Sequence, residues 1–384
     1  MNILTSHGPL KGTRILEFAG IGPCPMCGML LAEMGADVVR IDRIIPSGLG
    51  VSAKKRFTDR SRRSIAIDLK ANGAVELVLD LISKSDAVIE GFRPGVMERL
   101  GLGPDDCDAV NPKLVFGRVT GWGQTGPLAQ TAGHDLNYIA LTGGLDAIGR
   151  KNSPPTPPLN LVGDYGGGAL YLALGVVAAL FEAKTSGRGQ VIDAAMLDGA
   201  ASLMTAAFAL RGESFSCGER GENLLDGGAP FYDVYETSDG FYVSIAPIEK
   251  KFYRELLKQL DISEAEFPHT FSQAEWPEIK IKLSKIFKQH TRDEWIERLG
   301  DTDCCFAPVM TMEEAPHHPH SVARNTFVNV DGQWQPNIAP RFSRTPTQIT
   351  GPAPTPGQHS LEILREWGVQ IGEIDRLRDA GIIA

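Results

Sequence analysis

Short apolar runs alternate with amphipathic segments through the first third of the chain. The runs RILEF, ADVVRID, SIAIDL, AVIEGF and KLVFGRVTGWG are rich in β-branched residues, and segments such as PMCGMLLAEMG and GAVELVLDLISKS lie between them. Strands that alternate with helices in this way form a parallel sheet covered by helices. The pattern therefore predicts an α/β fold for this part of the chain.

The rest of the chain divides at polar, glycine-rich and proline-rich segments. An uncharged apolar stretch of 17 residues, Tyr165 to Phe181, is short for a membrane span and predicts a buried helix. Further on, FYDVYE and FYVSIAP flank the turn TSDG and predict a β-hairpin in a smaller α+β domain. The predicted division is a large domain over 1–210, a linker over 211–228, the small domain over 229–324, a linker over 325–341, and a C-terminal segment over 342–384 that returns to the large domain.

The composition is that of an ordinary soluble protein, with 42% hydrophobic and 22% charged residues among 384. The formal net charge of -9 disfavours nucleic acid as a partner. The first residues show no basic start followed by a long apolar run, so we expect a cytoplasmic location and no membrane partner. In that location the six cysteines are expected to be free thiols.

One strongly basic segment, Lys54 to Arg63, reads KKRFTDRSRR and carries six basic residues against one acid. It is either a solvated loop or a binding site for an anionic small molecule. Nicotinamide binding is disfavoured, because Pro25 stands at the third glycine position of the fingerprint after Gly20 and Gly22. The sequence also lacks a phosphate-binding Gly-Lys-Ser/Thr loop and a G-x-S-x-G elbow.

Two short clusters contain residue types that bind metals. Cys24 and Cys27 form a single CxxC pair, which is half of a zinc site at most; a redox dithiol and two buried thiols remain open alternatives. In HHPH, His317 to His320, the proline breaks the helical spacing of ligands. No metal site is predicted.

Three side chains are candidates for proton transfer. His134, in GHDLNY, lies in no apolar period that would make it a routine core residue. Asp164 lies two residues before the glycines at 166–168 and is either a helix cap or a functional acid. Each glycine weakens a helix by roughly 1 kcal/mol, a cost that is explained if a ligand must approach the backbone closely at this place. Glu249 follows the hairpin where a helix begins, so pairing with the helix dipole explains it equally well.

Several longer motifs, GHDLNYIALTG, PPLNLVGDYGGG, ENLLDGGAPFYDVYE and WGQTGP, are similar to those of one known family. On these motifs the chain resembles the family III CoA-transferase (CaiB/BaiF-type) superfamily, and within it the alpha-methylacyl-CoA racemases, from about Pro9 to about Leu364. The resemblance implies an open Rossmann-like parallel-sheet large domain, a smaller α+β domain and an interlocked homodimer. It also implies a place in lipid and fatty acid metabolism.

The same resemblance implies that His134 and Asp164 are the catalytic pair and that Glu249 is associated with the histidine. Lys250 and Lys251 replace the PQ that often follows this glutamate in the family. The implied substrate is an acyl-CoA thioester, with no separate cofactor because CoA is part of the substrate. The implied CoA-binding residues are Arg43, Ile67, Asp68, Leu69, Lys70, Arg99, Gly133, Asp135, Asn137 and Tyr138.

Inversion of a carbon next to a thioester requires one group that removes a proton and a second group, on the opposite face, that returns one. A neutral imidazole and a protonated carboxylic acid meet this requirement if burial raises the pKa of the aspartate. The expected reaction is therefore racemisation of 2-methylacyl-CoA thioesters, with backbone N–H groups near 166–168 as donors to the enolate. The alternatives are a CoA-transferase that uses Asp164 as a nucleophile and a non-catalytic CoA-binding protein.

Overall fold

The computed structural model describes residues 7–45, 50–51, 55–330 and 332–384, which form two compact units. Unit 1 contains the described residues of Met1–Ile139, Leu159–Leu203 and Val322–Ala384, and unit 2 contains Ala140–Pro158 and Met204–Ser321. The chain therefore leaves unit 1 twice and returns to it twice.

A six-stranded parallel sheet forms the centre of unit 1. Its strands are β1 (Arg14–Phe18), β2 (Asp37–Asp42), β3 (Arg63–Ala66), β4 (Ala87–Glu90), β5 (Val115–Thr120) and β6 (Val191–Ala195). They are ordered β3-β2-β1-β4-β5-β6, and each neighbouring pair is parallel. This is the strand order of a doubly wound, Rossmann-like sheet, so the predicted α/β fold is confirmed.

Helices cover both faces of this sheet. The α-helices in chain order are α1 (Pro23–Glu33), α2 (Ala74–Ser83), α3 (Val96–Arg99), α4 (Pro104–Val110), α5 (Asp135–Leu141), α6 (Gly144–Ala147), α7 (Leu170–Ser186), α8 (Met196–Leu203), α9 (Thr205–Leu210), α10 (Lys250–Leu260), α11 (Trp276–Phe287), α12 (Arg292–Leu299), α13 (Pro319–Arg324), α14 (Ser360–Glu366) and α15 (Ile371–Asp379). A π-helix, Leu161–Ala169, runs directly into α7. In β1, Leu16 and Phe18 pack with α2, α14 and α15, whereas Ile15 packs with α1 and α7, the alternation of a strand buried on both faces.

Only one side of α7, which carries the long apolar stretch, is buried. Leu172 and Val176 pack on the sheet at Gly117, whereas Leu174 and Phe181 are 66% and 76% exposed. The prediction of a buried helix is therefore correct for one face and wrong for the other. By length and composition alone, the continuous helix over 161–186 could cross a membrane, a test that core helices also pass.

Unit 2 is built on a three-stranded antiparallel sheet. Its strands are β7 (Asp233–Glu236), β8 (Tyr242–Ile245) and β9 (Phe306–Pro308), and α10, α11 and α12 share one hydrophobic core with them. The pairing of β7 with β8 confirms the hairpin predicted around TSDG. Residues 140–158, which were predicted in the large domain, also belong to unit 2, where Arg150 forms an ion pair with Asp233.

Both segments predicted as linkers are folded. Within 325–341, β10 (Phe327–Val330) and β11 (Gln333–Pro336) form an antiparallel hairpin. Within 211–228, the carboxylate of Asp226 accepts three backbone N–H groups and closes an ordered loop. Glycine-rich and polar sequence therefore marks compact loops here rather than free connections.

The π-helix and α8 are in backbone contact through two glycines. A Cβ at Gly199 would lie 1.9 Å from the carbonyl oxygen of Gly167, and a Cβ at Gly167 would lie 2.5 Å from the backbone nitrogen of Ala200. Any side chain at either position would force the two helices apart.

We expect Gly199→Ala to lower the melting temperature, although alanine normally favours a helix over glycine. The reason is overpacking, which costs about 1–3 kcal/mol. The matched control is Gly372→Ala in the first turn of α15, where no atom lies within 4 Å of the added Cβ, and it should leave the melting temperature unchanged or slightly higher. Equal melting temperatures for the two variants, measured by circular dichroism, would contradict this close packing.

Candidate active site

The parallel strands bring most of the predicted site residues to one edge of the sheet, at the carboxyl ends of the strands. Arg43 directly follows β2, residues 67–70 follow β3, Arg99 ends α3 after β4, and His134 precedes α5 after β5. The chain leaves β1 and β4 towards opposite sides of the sheet, so the space beyond their carboxyl ends is the topological switch point. Doubly wound sheets bind their ligands at this place.

Asp164 lies at the switch point, inside the π-helix. A Cβ at Gly22, in the loop after β1, would lie 3.1 Å from Asp164 Oδ2, and Gly22 has a φ of 74° that glycine adopts without strain. The interpretation of Asp164 as a helix cap is wrong, because the π-helix already begins at Leu161. Instead, its side chain accepts a hydrogen bond from Asn160 Nδ2 at 3.3 Å. π-helical segments are rare and are frequent at functional sites.

Partial burial favours the protonated form of Asp164. Withdrawal from water is the largest effect and raises the pKa of this carboxyl above its usual range. The hydrogen bond from Asn160 and the nearby His134 lower the pKa, whereas the charge of Asp135 raises it. Asp164 therefore keeps its proton to a higher pH than a free aspartate, and His134 lies close enough for its charge to act on this acid.

Two side chains of α5 fix the backbone around His134. Asn137 Oδ1 accepts the N–H of His134 at 3.1 Å, and the hydroxyl of Tyr138 donates to the carbonyl of Gly133. The ring of Tyr138 in turn packs edge-on against Trp122, with centroids 4.9 Å apart. The imidazole itself is exposed, so an ordered loop presents it to solvent.

Two residues near this pair were not selected from the sequence. Asn160 lies in the PPLNLVGDYGGG motif four residues before Asp164, and Arg93 begins the RPGVMERLG segment from which only Arg99 was chosen. Burial raises the pKa of Tyr138 to about 12, with a contribution from Asp164, and the positive charge of Arg93 opposes the rise. The spacing of Asn160 from Asp164, close to one helical turn, was the available signal for the first of these residues.

The glycines that follow Asp164 serve helix packing. Gly167 lies against α8, and a Cβ at Gly168 would lie 2.7 Å from the side chain of Met196 and 3.0 Å from that of Pro23. The N–H groups of 166–168 also fall inside the π-helix, whose i→i−5 hydrogen bonds use the backbone donors. The expectation that these N–H groups bind an enolate is therefore wrong.

The residues predicted to bind CoA fall into three groups. Arg43, Asp68, Lys70 and Arg99 are exposed at the carboxyl edge. Ile67 is buried in the core with its N–H bonded to the carbonyl of Asp42, and Leu69 is partly buried against the same core. The residues selected from 133–138 hold the backbone of the candidate site, and their contact with CoA stays a prediction.

Most of the basic segment 54–63 is structural, although Lys54 lies outside the described residues. Arg62 is fully buried, pairs with the equally buried Glu17 at 2.5 Å and donates to the carbonyl of Pro25 in α1. Three more arginines of the segment form ion pairs with acids of unit 1: Arg56, Arg60 and Arg63. The interpretation of the segment as an anion-binding site is wrong for these four arginines.

Glu249 belongs to unit 2 and occupies the N-cap position of α10. Its side chain is exposed and makes no capping hydrogen bond with any described residue, and its place at the helix N-terminus leaves pairing with the helix dipole as an open alternative. The adjacent Lys250 forms an ion pair with Glu264 at 3.2 Å. The association of Glu249 with His134 stays a prediction.

The two candidate metal clusters differ in their surroundings. Cys24 and Cys27 are buried free thiols in α1, and burial raises the pKa of both, which makes them poor nucleophiles. Across the described ranges, including His317 to His320, no three His, Cys, Asp or Glu side chains are placed to hold a metal ion.

An imidazole and a partly buried carboxyl at the switch point of a doubly wound sheet form the arrangement of an acid–base enzyme. Residues 10–360 match the family described as CoA-transferase family III, and the chain belongs to this family. It is 44% identical to the alpha-methylacyl-CoA racemase of Mus musculus and 40% identical to that of Homo sapiens, over 97% of each chain in both cases. The crystal structure of a CAIB/BAIF family protein from Brucella suis matches 94% of this chain and 100% of that one, with a TM-score of 0.79 and 26% identity.

Two arginine substitutions separate structural from ligand-binding roles. We expect Arg62→Gln to lower the free energy of unfolding by about 3–5 kcal/mol, because it leaves the buried Glu17 unpaired. Arg43→Gln, at an exposed position, should keep the melting temperature and weaken CoA binding measured by calorimetry, increasingly so at low salt. Weaker CoA binding with an unchanged melting temperature in Arg62→Gln would contradict this assignment.

Proposed function

We propose that the protein is a racemase that inverts the α-carbon of 2-methylacyl-CoA thioesters. Support comes from the two relatives named alpha-methylacyl-CoA racemase, at 44% and 40% identity over nearly the whole chain. The observation that carries the proposal is the closeness of His134 and Asp164, since the N–H of Asp164 bonds to the residue that follows His134 and the charge of His134 acts on Asp164. Partial burial keeps Asp164 available as an acid at this point.

The proposed reaction moves one proton off the α-carbon and another onto it. In one direction the neutral imidazole of His134 takes the α-proton, the C–H electron pair enters the thioester as an enolate, and Asp164 delivers its proton to the opposite face. In the other direction the carboxylate of Asp164 takes the proton and the imidazolium of His134 delivers one. No electrons leave the substrate, so the reaction needs no separate cofactor, and CoA enters as part of the substrate.

The same acid would be used differently by a CoA-transferase. There the carboxylate attacks a thioester and forms an acyl anhydride, which requires an ionised Asp164 and leaves His134 without a role. The raised pKa of Asp164 works against ionisation and favours proton delivery. A non-catalytic CoA-binding protein would need neither group.

Substrate binding is proposed at the exposed part of the same sheet edge. Arg43, Lys70 and Arg99 offer positive charge to the phosphates of CoA at the carboxyl ends of β2, β3 and β4. We propose that Glu249 supports His134, and that the enzyme acts in lipid metabolism in the cytoplasm. Rates measured with a panel of 2-methylacyl-CoA thioesters would determine the preferred acyl chain length.

Isotope exchange at the α-carbon tests the racemase proposal. One enantiomer of a 2-methylacyl-CoA in heavy water should gain α-deuterium and drift to both configurations without an added acceptor acid. His134→Ala should slow racemisation by about 10²-fold or more while Asp164 still exchanges the proton on its own face, and Asp164→Ala should show the mirror pattern. The readouts are NMR of the α-proton and chiral chromatography, and the matched control is the exposed histidine variant His320→Ala.

A transferase would give the opposite set of results. It would require a second acid, leave the α-proton in place and pass through an acyl-Asp164 that hydroxylamine traps. Detection of that adduct, together with full activity in His134→Ala and no deuterium uptake, would overturn the racemase proposal.

We further propose that the protein is a homodimer, with the two chains interlocked. The apolar face of α7 supports a second copy as the partner, because Leu170, Leu174 and Phe181 are 52%, 66% and 76% exposed at helical spacing. The two excursions of the chain out of unit 1 suit an interlocked arrangement.

Dilution tests the dimer. The wild type should remain dimeric in sedimentation velocity at the lowest measurable concentration, because interlocked chains separate only by unfolding. Leu174→Glu should prevent assembly of the apolar face, whereas Lys184→Glu, a charge change at an exposed position of the same helix, should leave the dimer intact. A folded and active wild-type monomer would refute the proposal.

A further inference from the structure

The side chain of Asp135 connects the two groups of the candidate site. Asp135 directly follows His134 in the chain, and its Oδ1 accepts the backbone N–H of Asp164 at 2.6 Å. Its exposed fraction is 6%, so water does not compete for this hydrogen bond. One carboxylate therefore couples the loop that presents the imidazole to the backbone that carries the acid.

This contact replaces a hydrogen bond that the π-helix cannot supply. The first i→i−5 bond runs from the N–H of Tyr165 to the carbonyl of Asn160, so the N–H of Asp164 lies in the unpaired first turn. Asp135 satisfies it from outside the helix. A Cβ at Gly163 would lie 2.6 Å from Asp135 Oδ1, so the carboxylate rests directly on the helix backbone.

The second oxygen of Asp135 indicates that this residue contributes a negative charge in addition to a hydrogen-bond acceptor. Oδ2 is buried and has no hydrogen-bond partner among the described residues. A neutral asparagine could accept the same N–H through its amide oxygen, so what the aspartate adds is a poorly compensated buried charge. That charge lies beside Asp164 and disfavours a second carboxylate there.

Among the groups that shift the pKa of Asp164, Asp135 is the one with a negative charge. His134 and Tyr138 are the other titratable side chains whose interactions with Asp164 shift a pKa. The loop at Gly22, before α1, lies against the Asp164 carboxyl, and Asp198 on the neighbouring α8 is exposed.

We propose that Asp135 is a positioning residue for racemisation, whose carboxylate fixes the backbone of Asp164 and holds that residue in the acid form that delivers a proton. The inference rests on the proposed racemase function. It assigns Asp135 a role inside the acid–base pair in addition to the predicted contact with CoA.

Asp135→Asn tests the charge because it keeps the shape and one acceptor oxygen. The acidic limb of the kcat/KM profile reports the first ionisation of the coupled pair. Loss of the negative charge lowers the pKa of Asp164, so with either enantiomer this limb should move to lower pH by about one unit. The matched control is Asp86→Asn, whose exposed carboxylate accepts the N–H of Arg14 at 2.8 Å, and its profile should not move.

Gly163→Ala tests whether the position of the Asp135 carboxylate matters, because it alters the helix backbone on which that carboxylate rests and changes no titratable group. The added Cβ displaces the Asp135 carboxylate, so kcat for racemisation should fall roughly tenfold while KM changes little, since the contact acts on proton delivery and not on CoA. This variant also tests the inference if Asp135→Asn fails to fold, and circular dichroism verifies the fold of each variant.

The outcomes separate this inference from the function on which it rests. A wild type that neither exchanges its α-proton nor racemises overturns both. A racemising wild type with an unmoved acidic limb in Asp135→Asn, or with unchanged kcat in Gly163→Ala, overturns the role of Asp135 alone. A purely structural role would lower the melting temperature of Asp135→Asn and leave the limb in place.

Discussion

The candidate site depends on close backbone contact around the π-helix. Gly22 leaves space for the carboxyl of Asp164, Gly163 leaves space for that of Asp135, and Gly167 touches Gly199 across the helix interface. These glycines let the backbone approach the two carboxyls closely, and Asp164 is partly withdrawn from water. The proposed role of Asp164, which holds a proton and delivers it to a substrate, fits this partial burial.

A buried ion pair anchors the first turn of α1. Arg62 donates to the carbonyl of Pro25 while it pairs with Glu17, and a Cβ at Gly28 would collide with the Glu17 carboxylate. The first turn of α1 is therefore tied to β1 and to the basic segment, and this turn follows the Gly22 loop that faces Asp164. Arg62, which resembles a ligand-binding group in the sequence, therefore holds the scaffold together beside the loop that faces Asp164.

Local periodicity in the sequence predicted the strands and helices of the sheet. Roles that depend on residues distant in the chain were not predicted. Strand and helix alternation predicted the sheet, and motif resemblance selected His134 and Asp164. The roles of Arg60, Arg62 and Arg63 were missed because their partners lie far along the chain, at separations of 27, 45 and 26 positions. The glycines at 166–168 were misread because ligand approach and helix packing both require a missing Cβ. For α7, composition indicated an apolar helix but not which of its faces the sheet would cover.

A carboxyl can serve two chemistries here, and each requires a different protonation state. Attack on a thioester requires the carboxylate, whereas proton delivery requires the acid. Around Asp164 the hydrogen bond from Asn160 favours the carboxylate, and burial together with the charge of Asp135 favours the acid. Burial is the largest of these effects, so the pKa of Asp164 is raised and the balance shifts towards the acid. His134 lies near enough for its charge to act on Asp164, so the environment that weakens this aspartate as a nucleophile also suits its proposed role as the second member of a proton-transfer pair.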